Sequence, residues 1–156
     1  MQTESGSQRL VATCDASSNS PQGAEDYRPP SVLVVDDDAL MRWSITETLV
    51  DHGSRVTEAA DAAAALAAFP EIVDASGVVF LDLCLPDSND LHVLAAMHRL
   101  SPRTPVILMT GHGTPELVDS ARALGAFAVI AKPFDLNDLS PLVHAASMLS
   151  IERSDG

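Results

Sequence analysis

From residue 31 onward, short apolar runs alternate with longer segments of helical spacing. The runs cover residues 32–36, 55–59, 77–82, 105–110 and 126–131. Most of them are apolar at nearly every position, which predicts strands buried on both faces, as in parallel sheets. Parallel strands need crossover connections, and the intervening helical segments supply them. The alternation therefore predicts an α/β fold, in which a five-stranded parallel sheet carries helices on both faces.

Capping and stop residues mark the ends of the predicted helices. Asp38 and Asp61 stand where N-caps are expected, because a short carboxylate can accept from the free N–H groups of a first turn. Gly53 and Gly125 follow the predicted helices that end at residues 52 and 124, where glycine is a common stop. The helices are therefore predicted at residues 39–52, 61–69, 91–100, 114–124 and from 135 onward.

Two prolines bear on these limits, since a proline inside a helix costs about 3 kcal/mol. Pro70 is expected to end the second helix. Pro141 lies inside the last helical segment, so we expect a kink or break between Asn137 and Pro141, with Ser140 as a possible cap for a fresh start.

The charge balance excludes several classes of partner. The 156 residues carry 22 acidic and nine basic side chains, for a net charge of −13, and Lys132 is the only lysine. Such a chain is a poor match for nucleic acid or for an anionic membrane surface, because both attract basic proteins.

No apolar run reaches the roughly 18 residues of a membrane span, and the N-terminus does not resemble a signal peptide. We expect a cytoplasmic protein in which Cys14 and Cys84 are reduced thiols.

Composition divides the chain into three parts. Residues 1–30 are polar and rich in Ser, Gln, Gly and Pro, so they cannot bury enough surface to fold, and we expect a disordered tail. Residues 31–150 have the length of one domain. Residues 151–156 are expected to form a short C-terminal tail.

The polar residues that end the strands are the candidate site. Carboxyl ends of parallel strands meet at one edge of a sheet, where α/β proteins bind their ligands. Clustered carboxylates favour a hard divalent cation such as Mg²⁺. A nearby lysine and hydroxyl would suit a phosphoryl group, and a central carboxylate could be the nucleophile that accepts it. The residues concerned are Asp36, Asp37, Asp38, Asp82, Thr110 and Lys132.

Four segments carry most of these polar residues in a distinctive order and spacing: VLVVDDD (32–38), VVFLDLCLPD (78–87), VILMTGHGT (106–114) and GAFAVIAKPF (125–134). Together they resemble the receiver domain of two-component response regulators, and in motif spacing most closely the receivers of NtrC-type activators. The resemblance covers residues 31 to 150. It implies a flavodoxin-like, CheY-like three-layer fold with strand order 2-1-3-4-5.

The resemblance also implies a role for each site residue. Asp37 would hold Mg²⁺ (or Mn²⁺) directly and Asp36 largely through water. Asp82 would be the phospho-acceptor and a metal ligand, and the backbone carbonyl of Cys84 a further ligand. Thr110 and Lys132 would each contact a phosphoryl oxygen. The peptide bond before Pro133 is expected to be cis.

Three positions depart from the common pattern of the family. Val129 stands where a Tyr or Phe usually acts as a rotamer switch with Thr110, which puts that coupling in doubt. Asp90 stands in place of a usual glycine. Gly111 and His112 follow Thr110, and His112 could approach the phosphoryl group, although a solvent-facing loop histidine is the commoner case.

The resulting expectation is a stand-alone receiver, because few residues follow the last helix. It would take a phosphoryl group from a histidine kinase or phosphotransfer protein and signal through protein contacts. It would bind no nucleic acid and would catalyse only its own phosphorylation and dephosphorylation. Two alternatives stay open: a receiver-like interaction module that is not phosphorylated, and a phosphatase of the haloacid dehalogenase type. Cys84 weakens the second, since the general acid would stand there.

Overall fold

The computed structural model describes residues 29–74, 77–88 and 91–155, so almost all of the predicted N-terminal tail, with Cys14, lies outside the described residues. Strands and helices alternate along the described chain. The strands are β1 (Ser31–Val35), β2 (Arg55–Ala59), β3 (Val78–Asp82), β4 (Val106–Thr110) and β5 (Ala128–Ala131). The helices are α1 (Ala39–Asp51), α2 (Ala62–Asp74), α3 (His92–Leu100), α4 (Pro115–Ala123) and α5 (Leu139–Asp155), with a short 3₁₀ helix (Leu136–Asp138) before α5.

The five strands form one parallel sheet in the order β2-β1-β3-β4-β5. This order confirms the predicted fold class. Val35, at the end of β1, pairs with Ala59 on one side and Leu81 on the other, and Asp82 pairs with Met109. The strands therefore end at nearly the same level, and the residues that follow them share one edge of the sheet.

Two apolar clusters cover the two faces of the sheet. Side chains alternate along β1, so Val32 and Val34 belong to one cluster and Leu33 and Val35 to the other. Helices α1 and α5 pack on the first face, and α2, α3 and α4 on the second. The result is the predicted three-layer arrangement.

The predicted caps and stops are confirmed. The Asp38 carboxylate accepts from the N–H of Leu40 at the start of α1 (3.0 Å), and Asp61 accepts from the N–H of Ala64 in α2 (2.8 Å). Gly53 and Gly125 have φ of 94° and 100°, a left-handed conformation that side chains other than glycine rarely adopt.

The prediction that Pro70 ends α2 is wrong, because the helix continues to Asp74. Phe69 and Ile72, on either side of the proline, are buried against the sheet. Burying each of these side chains contributes roughly 1.5–3 kcal/mol, which offsets a proline cost of about 3 kcal/mol.

The break expected between Asn137 and Pro141 is present, as the change from the 3₁₀ helix to α5 at Leu139. Pro141 is the third residue of α5, where its missing N–H costs nothing. The suggestion that Ser140 caps this helix is wrong, because the helix already begins at Leu139. It runs to Asp155, into the stretch assigned to a short tail. After Pro141, no glycine or proline occurs in the sequence before Gly156. Among the described residues, no helix is both long and apolar enough to cross a membrane.

Candidate functional site

Three carboxylates meet at the carboxyl ends of β1 and β3. Asp36 and Asp37 follow β1, and Asp82 is the last residue of β3. One oxygen of each lies within 4.8 Å of the others, and only Asp37 is exposed. Buried like charges at this separation repel one another unless a cation is near. The structure thus brings together the three carboxylates expected from the sequence.

Asp36 is completely buried, and hydrogen bonds hold both its backbone and its side chain. Its backbone N–H donates to the carbonyl of Ala59 (3.1 Å). Its Oδ1 accepts from the backbone N–H of Asp38 (2.9 Å), and its Oδ2 accepts from Nζ of Lys132 (2.9 Å). Both carboxylate oxygens of Asp36 are therefore engaged inside the protein.

Asp82 is also buried, but one of its oxygens is less engaged. Oδ1 accepts from the backbone N–H of Cys84 (3.2 Å) and lies 3.4 Å from Nζ of Lys132. Burial, and then the negative charge of Asp36, raise the pKa of the Asp82 carboxyl, and the Cys84 N–H and Lys132 only partly oppose them. Among the described residues none donates to Oδ2, which leaves this oxygen available to react.

Lys132 supplies the cation among these acids. Its backbone N–H donates to the carbonyl of Thr110 (2.7 Å), which ties the end of β5 to the end of β4. The peptide bond between Lys132 and Pro133 is cis, as the family resemblance implied. Burial lowers the pKa of the Lys132 ammonium, but the hydrogen bond and charge of Asp36 and the charge of Asp82 outweigh it and raise the pKa overall. Lys132 is therefore charged at neutral pH.

Thr110 ends β4 next to the acidic cluster. It follows Met109, which is paired with Asp82, and its side chain is buried. Its Oγ1 accepts from the backbone N–H of His112 (3.1 Å), so the hydroxyl hydrogen remains able to donate. The His112 side chain is exposed.

The structure describes two of the three positions that depart from the family pattern. Val129 is partly buried on β5, pairs with Leu108, and packs against the apolar cluster under α2, α3 and α4. Asp90 lies outside the described residues. Gly111 is exposed, in the loop that follows Thr110.

The donor set suits a hard divalent cation. The Asp37 carboxylate is exposed and makes no hydrogen bond or ion pair with any described residue, so a cation could take it without breaking a contact. An Asp82 oxygen lies beside it. Carboxylate oxygens of this kind are preferred by Mg²⁺ and Mn²⁺. The thiol of Cys84 is free and exposed, and the Cys84 contact seen at the site comes from its backbone N–H.

Two residues near the site were missed by sequence reasoning. Arg42, on α1, donates to the carbonyl of Asp36. Asp87, in the loop after β3, accepts from the N–H groups of Ala62 (2.8 Å) and Ala63 (3.1 Å) and so holds the start of α2. These contacts join residues distant in sequence, and neither residue belongs to a strand-end pattern.

The family model for the response regulator receiver domain matches residues 32–144. The chain therefore belongs to the response regulator receiver domain family, the CheY-like receivers of two-component systems.

Curated relatives include transcriptional regulators of the same family. The transcriptional regulator DctD for C4-dicarboxylate transport, from Rhizobium meliloti, is 37% identical over 67% of this chain and 22% of its own length. FixJ from Bradyrhizobium diazoefficiens is 35% identical over 74% of this chain and 55% of its own. NtrC from Escherichia coli is 33% identical over 74% of this chain and 24% of its own length. The chain thus spans between about a quarter and about half of the length of these relatives.

Solved structures agree with this assignment. A CheY-like receiver domain protein from Methanospirillum hungatei has a TM-score of 0.71 at 27% identity, covering 83% of this chain and all of that one. The receiver domain of NtrX from Brucella abortus has a TM-score of 0.67 at 35% identity, covering 75% of this chain and 98% of its own.

Proposed function

We propose that this domain accepts a phosphoryl group on Asp82 in a Mg²⁺-dependent reaction, with a histidine kinase or a histidine phosphotransfer protein as the donor. One observation carries the proposal: the Asp82 carboxylate lies 3.4 Å from the Lys132 ammonium and within 4.8 Å of the carboxylates of Asp36 and Asp37. That arrangement offers a nucleophile, a fixed cation and an oxygen-rich position for a divalent ion together.

The reaction would be an in-line transfer. An oxygen of Asp82 attacks phosphorus, an O–P bond forms, and the P–N bond to the donor imidazole breaks with its electron pair left on nitrogen. Lys132 is close enough to pair with a phosphoryl oxygen, and the free hydroxyl hydrogen of Thr110 can donate to another. Asp37 and Asp82, with the Cys84 carbonyl and with Asp36 largely through water, would hold Mg²⁺, which when bound neutralises charge on the transferring group.

The domain would act as a switch, with no reaction on other substrates. The aspartyl phosphate adds negative charge and acceptor oxygens. Thr110 and the loop that carries His112 would move toward it and bias the surface around β5, which a partner protein reads. We propose protein contact as the output of this domain, and its action as a stand-alone receiver stays a prediction.

A second candidate function rests on Val129. An aromatic side chain at this position would be able to swing between two orientations, whereas the valine packs against the core. A domain whose switch is fixed could serve as an interaction module that is not phosphorylated. This candidate predicts partner binding that does not change in an Asp82→Asn variant.

The protein donor would approach over α1. Leu40 and Trp43 on the outer face of α1 are 71% and 57% exposed, which is unusual for large apolar side chains. Leu40 also lines a largely apolar groove of about 260 Å³ with Phe134 and Leu136, two residues of the segment that follows Lys132. The groove also includes Asp38, which follows Asp37 in the chain, so it borders the acidic site, and we include it with Leu40 and Trp43 in the donor surface.

Phosphorylation is tested with small donors. Incubation with Mg²⁺ and phosphoramidate or acetyl phosphate should add one phosphoryl group by intact mass, and Asp82→Asn should abolish the addition. A known receiver serves as the positive control. A wild-type chain that gains nothing while the control is modified would contradict the proposal.

The donor surface is tested with two apolar substitutions. Trp43→Ser should slow transfer from a phosphorylated phosphotransfer protein about tenfold, as for an interface aromatic, and leave the rate with phosphoramidate unchanged. Leu100→Ser is the matched control, because Leu100 is 67% exposed on α3, in the other helix layer. Equal rates for the two variants with the protein donor would refute this surface.

A further inference from the structure

Arg42 reaches from α1 to the end of β1. Its Nη1 donates to the backbone carbonyl of Asp36 (2.6 Å), and its Nε donates to Oε1 of Glu58 on β2 (3.0 Å). The side chain is only 20% exposed. A guanidinium holds two acceptors in a fixed fork, which a lysine ammonium cannot reproduce.

The carbonyl that Arg42 holds belongs to the peptide that joins Asp36 to Asp37. On the other side of Asp37, the N–H of Asp38 is held by the Asp36 carboxylate (2.9 Å), and the Asp38 carbonyl accepts from the N–H of Arg42 (2.9 Å). The backbone of Asp37 is therefore fixed both before and after the residue.

The Asp37 side chain itself has no such support, since it contacts no hydrogen-bonding or charged partner among the described residues. Its direction depends on the peptide before it and the peptide after it. The first of these is set by Arg42, whose own position is set by Glu58.

We propose that Arg42 is a positioning residue for the metal site, acting through the peptide between Asp36 and Asp37. This inference rests on the proposed function, because it assumes that Asp37 ligates Mg²⁺. Groups that orient a metal ligand without touching the metal typically change metal affinity 10- to 100-fold when they are removed.

A purely structural role makes a different prediction. If Arg42 only joins α1 to β2, its loss lowers the unfolding temperature and leaves the affinity of the folded protein for Mg²⁺ unchanged. The positioning role weakens Mg²⁺ binding by the folded protein, and excess Mg²⁺ restores the phosphorylation rate.

The experiment compares the full chain with Arg42→Met and Arg122→Met. Arg122 lies exposed on α4 and its loss changes the net charge equally, so it controls for long-range electrostatics. Calorimetric titration with Mg²⁺ should give a dissociation constant about tenfold higher for Arg42→Met and within twofold of wild type for Arg122→Met. With phosphoramidate, the Mg²⁺ concentration for half-maximal rate should rise in parallel, while the rate at saturating Mg²⁺ stays within twofold.

Arg42→Lys provides a second variant if the methionine variant does not fold. It retains the charge and can donate to one of the two acceptors, but it cannot hold the Asp36 carbonyl and Glu58 in one fixed fork, so its affinity should lie between those of wild type and Arg42→Met. Equal Mg²⁺ affinities for folded wild type, Arg42→Lys and Arg122→Met would refute the role of Arg42. A wild-type chain that binds no Mg²⁺ would instead overturn the proposed function, and this inference with it.

Discussion

The three central strands and the two edge strands differ in burial and in what they bring to the site. All five residues of β1, β3 and β4 are buried, whereas β2 and β5 are largely exposed or half-buried. Asp36, Asp82 and Thr110 lie at the ends of the central strands. The edge strands contribute the charged partners, Glu58 on β2 and Lys132 after β5.

This difference in burial between central and edge strands explains where the charged groups of the site lie. Groups that must keep a fixed geometry gain from strands held on both sides, because packed cores resist displacement. A long cationic side chain loses less hydration at the edge of the sheet, and Lys132 keeps 22% of its side chain exposed there. The site thus joins a rigid centre to more adjustable edges.

The largest expected effect on stability comes from a matched pair of isoleucines in the same apolar cluster. Ile107, on β4, is completely buried, and Ile130, on β5, is partly exposed. Ile107→Ala should lower the free energy of unfolding by about 4 kcal/mol and Ile130→Ala by about 2 kcal/mol or less, because a cavity costs more where the surroundings cannot collapse. Urea denaturation measures both, and equal losses would remove the distinction between centre and edge.

Removal of the edge cation should be the next largest effect. Lys132→Ala leaves the buried Asp36 carboxylate without its ion pair, which should cost about 3 kcal/mol in EDTA at neutral pH. Because the pKa of Lys132 is raised, the wild-type lysine stabilises the fold fully below pH 10.5. This stabilisation is lost only as the pH rises through the pKa of Lys132 in the folded protein. Added Mg²⁺ should recover most of the loss, since the acidic cluster remains. Thermal unfolding with and without Mg²⁺ checks this, and a loss that Mg²⁺ leaves unchanged would contradict it.

Asp82→Asn should have a smaller effect of opposite sign. The pKa of Asp82 is raised above 3.8, so the folded protein binds this proton more tightly than the unfolded chain does. The stability of the folded protein therefore falls as the pH rises from 3.8 through the pKa of Asp82 in the folded state, and the loss of stability is complete above that pKa. Without a divalent ion at neutral pH, Asp82→Asn should be more stable than wild type, and the gain should shrink when Mg²⁺ is added. A less stable variant in EDTA would contradict the charge repulsion described above.

The smallest effect is expected at Asp87, which is exposed. Its hydrogen bond to the Ala62 N–H lowers the pKa of the carboxyl. The Asp87 carboxylate therefore stabilises the fold fully above pH 3.8, and this stabilisation is lost as the pH falls through the lowered pKa of Asp87 in the folded protein. Asp87→Ala should unfold at a slightly lower temperature at neutral pH, with a difference that narrows in acid, and a difference independent of pH would argue against a role for the charge.

The sequence predicted the sheet and the candidate site because both depend on local patterns. Continuous apolar runs identify the buried strands, and parallel strands bring Asp36, Asp82 and Lys132 to one edge. The continuation of α2 past Pro70 was not predictable, since it depends on burial of Phe69 and Ile72 by the rest of the fold.

The supporting contacts were not predictable for a related reason. Arg42 meets Glu58 16 positions away, and Asp87 meets Ala62 25 positions away. Neither spacing belongs to a helix or strand period, so only the assembled fold joins these residues.

The most direct test of the central claim is to locate the phosphoryl group. After treatment with phosphoramidate and Mg²⁺, borohydride reduces an aspartyl phosphate to homoserine, which tandem mass spectrometry can assign to a position. The account predicts homoserine at position 82 and at no other aspartate, and none in Asp82→Asn. Homoserine at Asp36 or Asp37, or a phosphorylated chain with an intact Asp82, would contradict it.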